Sequence, residues 1–134
     1  MALLVGVLLA IAVGLMATAV GLDRDRAFYP TVMMVIAVLY ALFAVIGAST
    51  QALVLDLLVG SVFFSAAIVG FRSSLWVVAV ALAAHGLLDL VHDRVISNPG
   101  VPRWWPAFCS AYDLTAAVYL AWMLTKRPSL RGTG

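Results

Sequence analysis

Charge is what this sequence has least of. Only 10% of its 134 residues are charged while 65% are hydrophobic, and the mean hydropathy is +1.11. Too few polar side chains are present to clothe a water-soluble fold, so an integral membrane protein is expected. The eight Lys and Arg residues are scattered, with no run able to track a phosphate backbone, and nucleic acid is not an expected partner. Cysteine appears once, as Cys109, which rules out an intrachain disulfide. Glutamate is absent, so all six acids are aspartates. Histidine appears twice, at His85 and His92, within one short stretch.

What is present is a succession of long apolar runs. Residues 2–22 carry no charge and match the length that crosses hydrocarbon. Ala17-Thr18-Ala19 resembles a signal-peptidase site, but no Lys or Arg precedes the apolar run, and a first transmembrane helix is the expectation. Gly6, Ala10, Gly14 and Thr18 recur every four residues, a small-residue ridge that lets another helix approach closely and offers a route to a homo-oligomer. Asp23-Arg24-Asp25-Arg26 reads as a short polar loop. From Thr31 to Phe71 the chain is apolar for about two spanning lengths, with the break expected at Gly47-Ala48-Ser49-Thr50-Gln51. Arg72-Ser73-Ser74 makes the next turn. Between Asp93 and Pro106, three prolines, Gly100 and Trp104-Trp105 predict an irregular loop at headgroup depth. The tail, Lys126 to Gly134, is basic and expected to fray.

The chain is therefore expected to be an all-α, single-domain bundle of five transmembrane helices, at about 2–22, 31–46, 52–71, 75–92 and 107–125. An outside N-terminus places Arg24, Arg26, Arg72, Lys126, Arg127 and Arg131 inside, and only Arg94 and Arg103 outside. That asymmetry predicts an N-out, C-in multi-pass protein of the cell membrane.

His85, Asp89 and His92 stand at i, i+4 and i+7, which on a continuous helix puts them on one face. Asp56 on the third helix and Asp113 on the fifth lie near the same end of the bundle, and the group spans depths of about 5 to 11 Å at 1.5 Å per residue. Ionisable groups inside a span are expensive and mark a site or a pathway. Together with Asp93 they are expected to line one polar cavity open to the extracytoplasmic side. The other half of the bundle holds no ionisable residue within a helix, which suits a dead-end pocket better than a conduit.

Two imidazoles and several carboxylates are the ligand set of zinc, iron or manganese, with His85, Asp89, His92 and Asp113 as the candidate ligands. Without a metal, the same residues and Asp56 form acid and base pairs able to move a proton on or off carbon or water. The bland alternative is a hydrogen-bonded network that only fixes helix register. Haem is disfavoured because both histidines lie on one helix. Cys109, four residues before Asp113, reads as packing before it reads as a nucleophile. Tyr40 and Phe63 also read as packing. Trp104, Trp105, Arg103 and Tyr112 are the expected substrate contacts, with the tryptophan loop folded as a lid over His92 and Asp93. The functional expectation is a membrane enzyme that hydrolyses, hydrates or isomerises a lipophilic small molecule, with membrane lipid as its other partner. The alternatives are a proton-coupled or metal-ion transporter and an accessory subunit.

His85-x3-Asp89-x2-His92, the proline and tryptophan loop, and Cys109-x3-Asp113 resemble a pattern in small uncharacterised bacterial multi-pass membrane proteins, a resemblance that implies no known activity. At the level of fold the chain is also similar to emopamil-binding-type helical bundles, which use intramembrane acids around sterol-like ligands. It departs from that group in lacking glutamate and in having five segments, so no residue roles carry across.

Overall fold

The computed structural model describes residues 1–130, among which there are helices and turns and no strand. In chain order these are α1 (Ala2–Val20), α2 (Phe28–Ile46), α3 (Thr50–Arg72), α4 (Leu75–Asp89), the single turn α5 (His92–Val95) and α6 (Trp105–Lys126), closed by a 3-10 turn at Pro128–Leu130. α1, α2, α3 and α6, with 19, 19, 23 and 22 residues, are long and apolar enough to cross a membrane. α4 is apolar but has only 15 residues. Of the tail expected to fray, Lys126 ends α6, Arg127 bonds Asp23 and Pro128–Leu130 form the 3-10 turn, while residues 131–134, with Arg131, lie outside the described residues.

Local chemistry sets the boundaries. The break between α2 and α3 falls inside the small and polar stretch expected to hold it, and Ser49 opens α3 by accepting a hydrogen bond from the Ala52 amide. Ser74 opens α4 in the same way through the Trp76 amide. Pro106 occupies the first turn of α6, where its missing N–H costs nothing.

The fourth segment corrects the sequence expectation. α4 stops at Asp89, the chain turns through Leu90 and Val91, and helix restarts at His92. A continuous helix to residue 92 would have kept His92 on the His85 face. The turn instead carries it across to α3, where its ring is buried against Asp56.

Packing places α4 at the centre, against α6, α3 and α2, around Met33, Leu75, Val78, Leu82, Leu120 and Leu124. α2 and α3 form a hairpin, and α1 lies along α6. The small-residue ridge of α1 is spent on that contact. Gly6, Ala10, Gly14 and Ala17 are buried, and a Cβ at Gly6 would overlap the Phe108 carbonyl oxygen. The ridge thus faces the chain's own α6. Leu3, Leu4, Leu8 and Leu15 on the opposite face are exposed, as a lipid-facing surface would be.

The stretch from Asp23 to Arg26 is more than a solvated loop. Asp23 is fully buried, accepting hydrogen bonds from the Thr18 hydroxyl and from Arg127 Nη1 at 3.2 Å, and Thr18 Oγ1 lies 2.8 Å from the Tyr119 hydroxyl. Arg26 donates to the carbonyls of Gly70 and Phe71 at 3.0 and 3.1 Å. These bonds clasp the ends of α1, α3 and α6 and satisfy groups that would otherwise be costly to bury.

At the other end the loop between α5 and α6 folds back onto the α2–α3 turn. Gly100 lies so close to the end of α2 that an added Cβ would overlap the Phe43 carbonyl oxygen, a backbone atom that cannot swing aside. Gly100→Ala is therefore expected to destabilise the fold by about 1–3 kcal/mol, the usual cost of overpacking. Thermal unfolding in detergent reads this directly, and an unchanged midpoint would show the loop to be loosely held.

Candidate functional site

α4 and α6 each bring two polar residues one helical turn apart to their shared face, His85 and Asp89 from α4 and Cys109 and Asp113 from α6. Gly86 lets the helices meet closely, since a Cβ there would stand 3.1 Å from Asp113 Cβ and from the Ser110 carbonyl oxygen. His85 Nδ1 lies 2.7 Å from Asp113 Oδ2 and 3.6 Å from Asp89 Oδ2. The Cys109 thiol points to Asp113 Oδ2 at 3.9 Å, and the Tyr40 hydroxyl donates to Asp89 Oδ1 at 2.8 Å. Phe63 sets its ring edge-on to the His85 ring at 4.9 Å. One ligand atom from each of His85, Asp89, Cys109 and Asp113 can be chosen so that all four lie within 4.8 Å of one another.

The set is dry. Side-chain exposure is 4% for His85 and nil for both acids. Asp89 Oδ2 and Asp113 Oδ1 are buried with no hydrogen-bond partner among the described residues. A buried carboxylate oxygen without a donor is costly, and here there are two, one of them 3.6 Å from His85 Nδ1.

A second polar group sits toward the loop. His92 Nε2 lies 2.8 Å from Asp56 Oδ1, and the Asn98 amide donates to Asp56 Oδ2 at 2.7 Å and to the Tyr40 carbonyl at 2.9 Å. The Tyr40 ring stacks on the His92 ring, with centroids 3.7 Å apart and planes 17° from parallel. Both oxygens of Asp56 are thus paired, and the group ties α2, α3 and the loop together. Tyr40 belongs to both groups through its hydroxyl and its ring.

The residues singled out from the sequence therefore divide. His85, Asp89 and Asp113 come together, while His92 and Asp56 form the neighbouring pair, which removes His92 from a ligand set shared with His85. Asp93 is exposed and outside both. Cys109 joins the first group, and its i, i+4 spacing to Asp113 was the visible sign, the same spacing as His85 to Asp89. Asn98 and Tyr40 carried no comparable signal, since a turn asparagine and a tyrosine in an apolar helix are commonplace.

The single open polar cavity expected from the sequence is replaced by buried clusters with two separate hollows beside them. One, of about 370 Å³, is bounded by His92, Asp93, Asn98, Pro102 and Arg103. The other is an apolar groove of about 480 Å³ between α1 and α2, floored by α6 and walled by Leu9, Val13, Ile36, Trp105, Cys109 and Tyr112. Trp105 packs edge-on to Phe43 at 4.8 Å and also against Phe108, with Trp104 half exposed beside it. The tryptophans thus stand on the groove side and not over His92 and Asp93, where Arg103 remains. Cys109 is the residue common to the groove wall and the buried cluster.

Chemically, an imidazole between two carboxylates in a dry interior can hold a proton, pass it or share a cation. No protein-family model, no curated protein and no solved structure matches this chain, so its function is read from the chemistry of these residues.

Proposed function

We propose that this protein is an integral membrane enzyme, multi-pass and N-out, C-in in the cell membrane, that uses His85, Asp89 and Asp113 to hydrolyse, hydrate or isomerise a lipophilic small molecule. The observation that carries this reading is the apolar groove between α1 and α2, whose wall includes Cys109, itself 3.9 Å from Asp113. A molecule dissolved in the bilayer would enter this groove sideways, between apolar and aromatic side chains, and meet the cluster at Cys109. Trp105 and Tyr112 would form the substrate-facing wall, with Trp104 at its outer rim.

The roles follow from the distances. Asp113, 2.7 Å from His85 Nδ1, orients the imidazole and stabilises its charged form, as a carboxylate partner does in acid–base sites. Asp89, held by the Tyr40 hydroxyl, has its other oxygen free to take a proton. His85 as acid and Asp89 as base would protonate one atom of a substrate and deprotonate its neighbour or a water, which serves isomerisation and hydration alike. Asp56 and His92, with their polar atoms already engaged, position the loop and Tyr40 instead of touching substrate.

The orientation rests on Arg24, Arg26, Arg72, Lys126 and Arg127 at one end against Arg94 and Arg103 at the other. α4 is short for a span, but both its ends are covered by protein, with Leu75 1% and Asp89 1% exposed, and backbone buried in protein is tolerated at membrane depth. The Asp23 clasp closes the far end, which favours an enzyme over a conduit.

The test is to incubate the protein in nanodiscs with a total membrane lipid extract and follow the extract by chromatography and mass spectrometry. One lipophilic species is expected to fall as a hydrated, cleaved or isomeric product rises. His85→Ala should slow that conversion by about 10²–10⁴-fold, the range of a lost general acid or base. Conversion at an undiminished rate in the variant, or no converted species with folded wild-type protein, would contradict the proposal.

A further inference from the structure

We infer that His85, Asp89, Cys109 and Asp113 form a divalent metal centre of the zinc class, with the Cys109 thiolate as a ligand and His92 outside the set. This goes beyond the proposed function, because four protein ligands make a closed centre of the structural kind, which holds His85 and Asp89 as ligands instead of as acid and base and can exist whether or not that chemistry is right.

Three observations converge. The first is architectural, for two i, i+4 pairs face each other across the α4–α6 contact, and such a pair presents two ligand atoms from one helix face to one ion. The second is dimensional. Tetrahedral zinc with bonds of about 2.0–2.3 Å sets its ligand atoms about 3.3–3.8 Å apart. The His85 Nδ1 to Asp89 Oδ2 separation is 3.6 Å, that from Cys109 Sγ to Asp113 Oδ2 is 3.9 Å, and the four-atom set spans no more than 4.8 Å. Only the 2.7 Å bond from His85 to Asp113 must open, and Asp113 Oδ1 is free to serve instead.

The third observation points to a ligand directly. Asp89 Oδ2 and Asp113 Oδ1 are buried acceptors with no hydrogen-bond donor among the described residues, on side chains with no exposure. The protein supplies one imidazole to two carboxylates, and its Nδ1 is already engaged by Asp113 Oδ2 at 2.7 Å. A divalent cation bound between Asp89 and Asp113 meets both oxygens. Its binding releases to water the Cys109 proton, and with it the second ring proton of His85 where the imidazole is charged, because thiolate and neutral imidazole are the ligating forms. A set of one thiolate, one imidazole and two carboxylates favours zinc over magnesium or manganese, which prefer oxygen alone.

The proposal is tested on full-length protein purified in detergent without a histidine tag. Elemental analysis is expected to find about one zinc per chain, as for a single tetrahedral site. Replacing zinc with cobalt should produce a thiolate-to-cobalt charge-transfer band that disappears in Cys109→Ser, with at least about tenfold weaker binding. His92→Gln should keep the band. Should a variant fail to fold, the wild type alone decides the matter, because chelator-stripped protein should gain several degrees of thermal stability when zinc is restored. Less than a tenth of an equivalent of metal, together with no stabilisation by added zinc, overturns the centre, and a charge-transfer band that survives in Cys109→Ser overturns the role of Cys109. Metal-free protein that converts a lipid counts against the centre and leaves the acid–base reading standing, whereas full occupancy without any turnover supports the centre and counts against the enzyme.

Discussion

Asp56→Ala is expected to cost the fold about 3–5 kcal/mol, as removal of one partner from a buried ionisable pair does. The carboxylate takes a bond from His92 at 2.8 Å and one from the Asn98 amide at 2.7 Å, and it is 3% exposed. Alanine leaves both groups buried without that partner. The damage should spread, because Asn98 also pins the loop to the Tyr40 carbonyl and His92 carries the stacked Tyr40 ring. Asp56→Asn keeps an acceptor and should cost roughly 1–3 kcal/mol, the penalty of one unsatisfied buried group. Denaturant or thermal unfolding in one detergent compares the three proteins, and an Asp56→Ala loss below about 1 kcal/mol, the net worth of one ordinary hydrogen bond, would mean that the loop is held by other contacts.

Asp89→Asn should act in the opposite way, lowering turnover by about 10²–10⁴-fold while leaving the fold intact. Its Oδ1 accepts the Tyr40 hydroxyl at 2.8 Å, a bond that an amide oxygen also accepts. Its Oδ2 has no hydrogen-bond donor, so an amide in that place breaks no hydrogen bond. What disappears is the unpartnered carboxylate oxygen 3.6 Å from His85 Nδ1, the one assigned as base. Conversion of the lipid substrate at the wild-type rate by Asp89→Asn would remove the base from the mechanism. The contrast between Asp56 and Asp89 separates a positioning pair from a working one: both are buried acids, and they differ in whether their oxygens are satisfied.

Much of this architecture is written in the apolar runs. Spanning length alone located α1, α2, α3 and α6, and the small and polar cluster at Gly47 located the turn between α2 and α3. Of the residues that depth grouped at one end, His85, Asp89 and Asp113 meet in one cluster, while Asp56 pairs with His92 in the neighbouring one. The stop at Asp89 was illegible because Leu90 and Val91 are good apolar helix residues, and only the tertiary pairing of His92 with Asp56 shows why the chain turns there. The burial of Asp23 was hidden for a related reason, as its partner Arg127 and the Tyr119 that contacts Thr18 are distant in sequence. Cys109 had the right spacing to Asp113, but a cysteine in an apolar helix carries no sign of what faces it. The small-residue ridge correctly announced a close helix contact, and only the structure shows that its partner is α6.

The central claim is that the His85, Asp89, Cys109 and Asp113 cluster is kept for chemistry and not for packing. The most direct measurement is the thermal midpoint of Asp89→Asn beside the wild type, both stripped with chelator in the same detergent. A functional cluster leaves a buried acceptor unsatisfied at a cost to the fold, and replacing it should leave the midpoint unchanged or raise it by a few degrees. A fall of about 4 °C or more, which corresponds to roughly 1 kcal/mol or more in a chain of this size, would show that the carboxylate is there to hold the helices together.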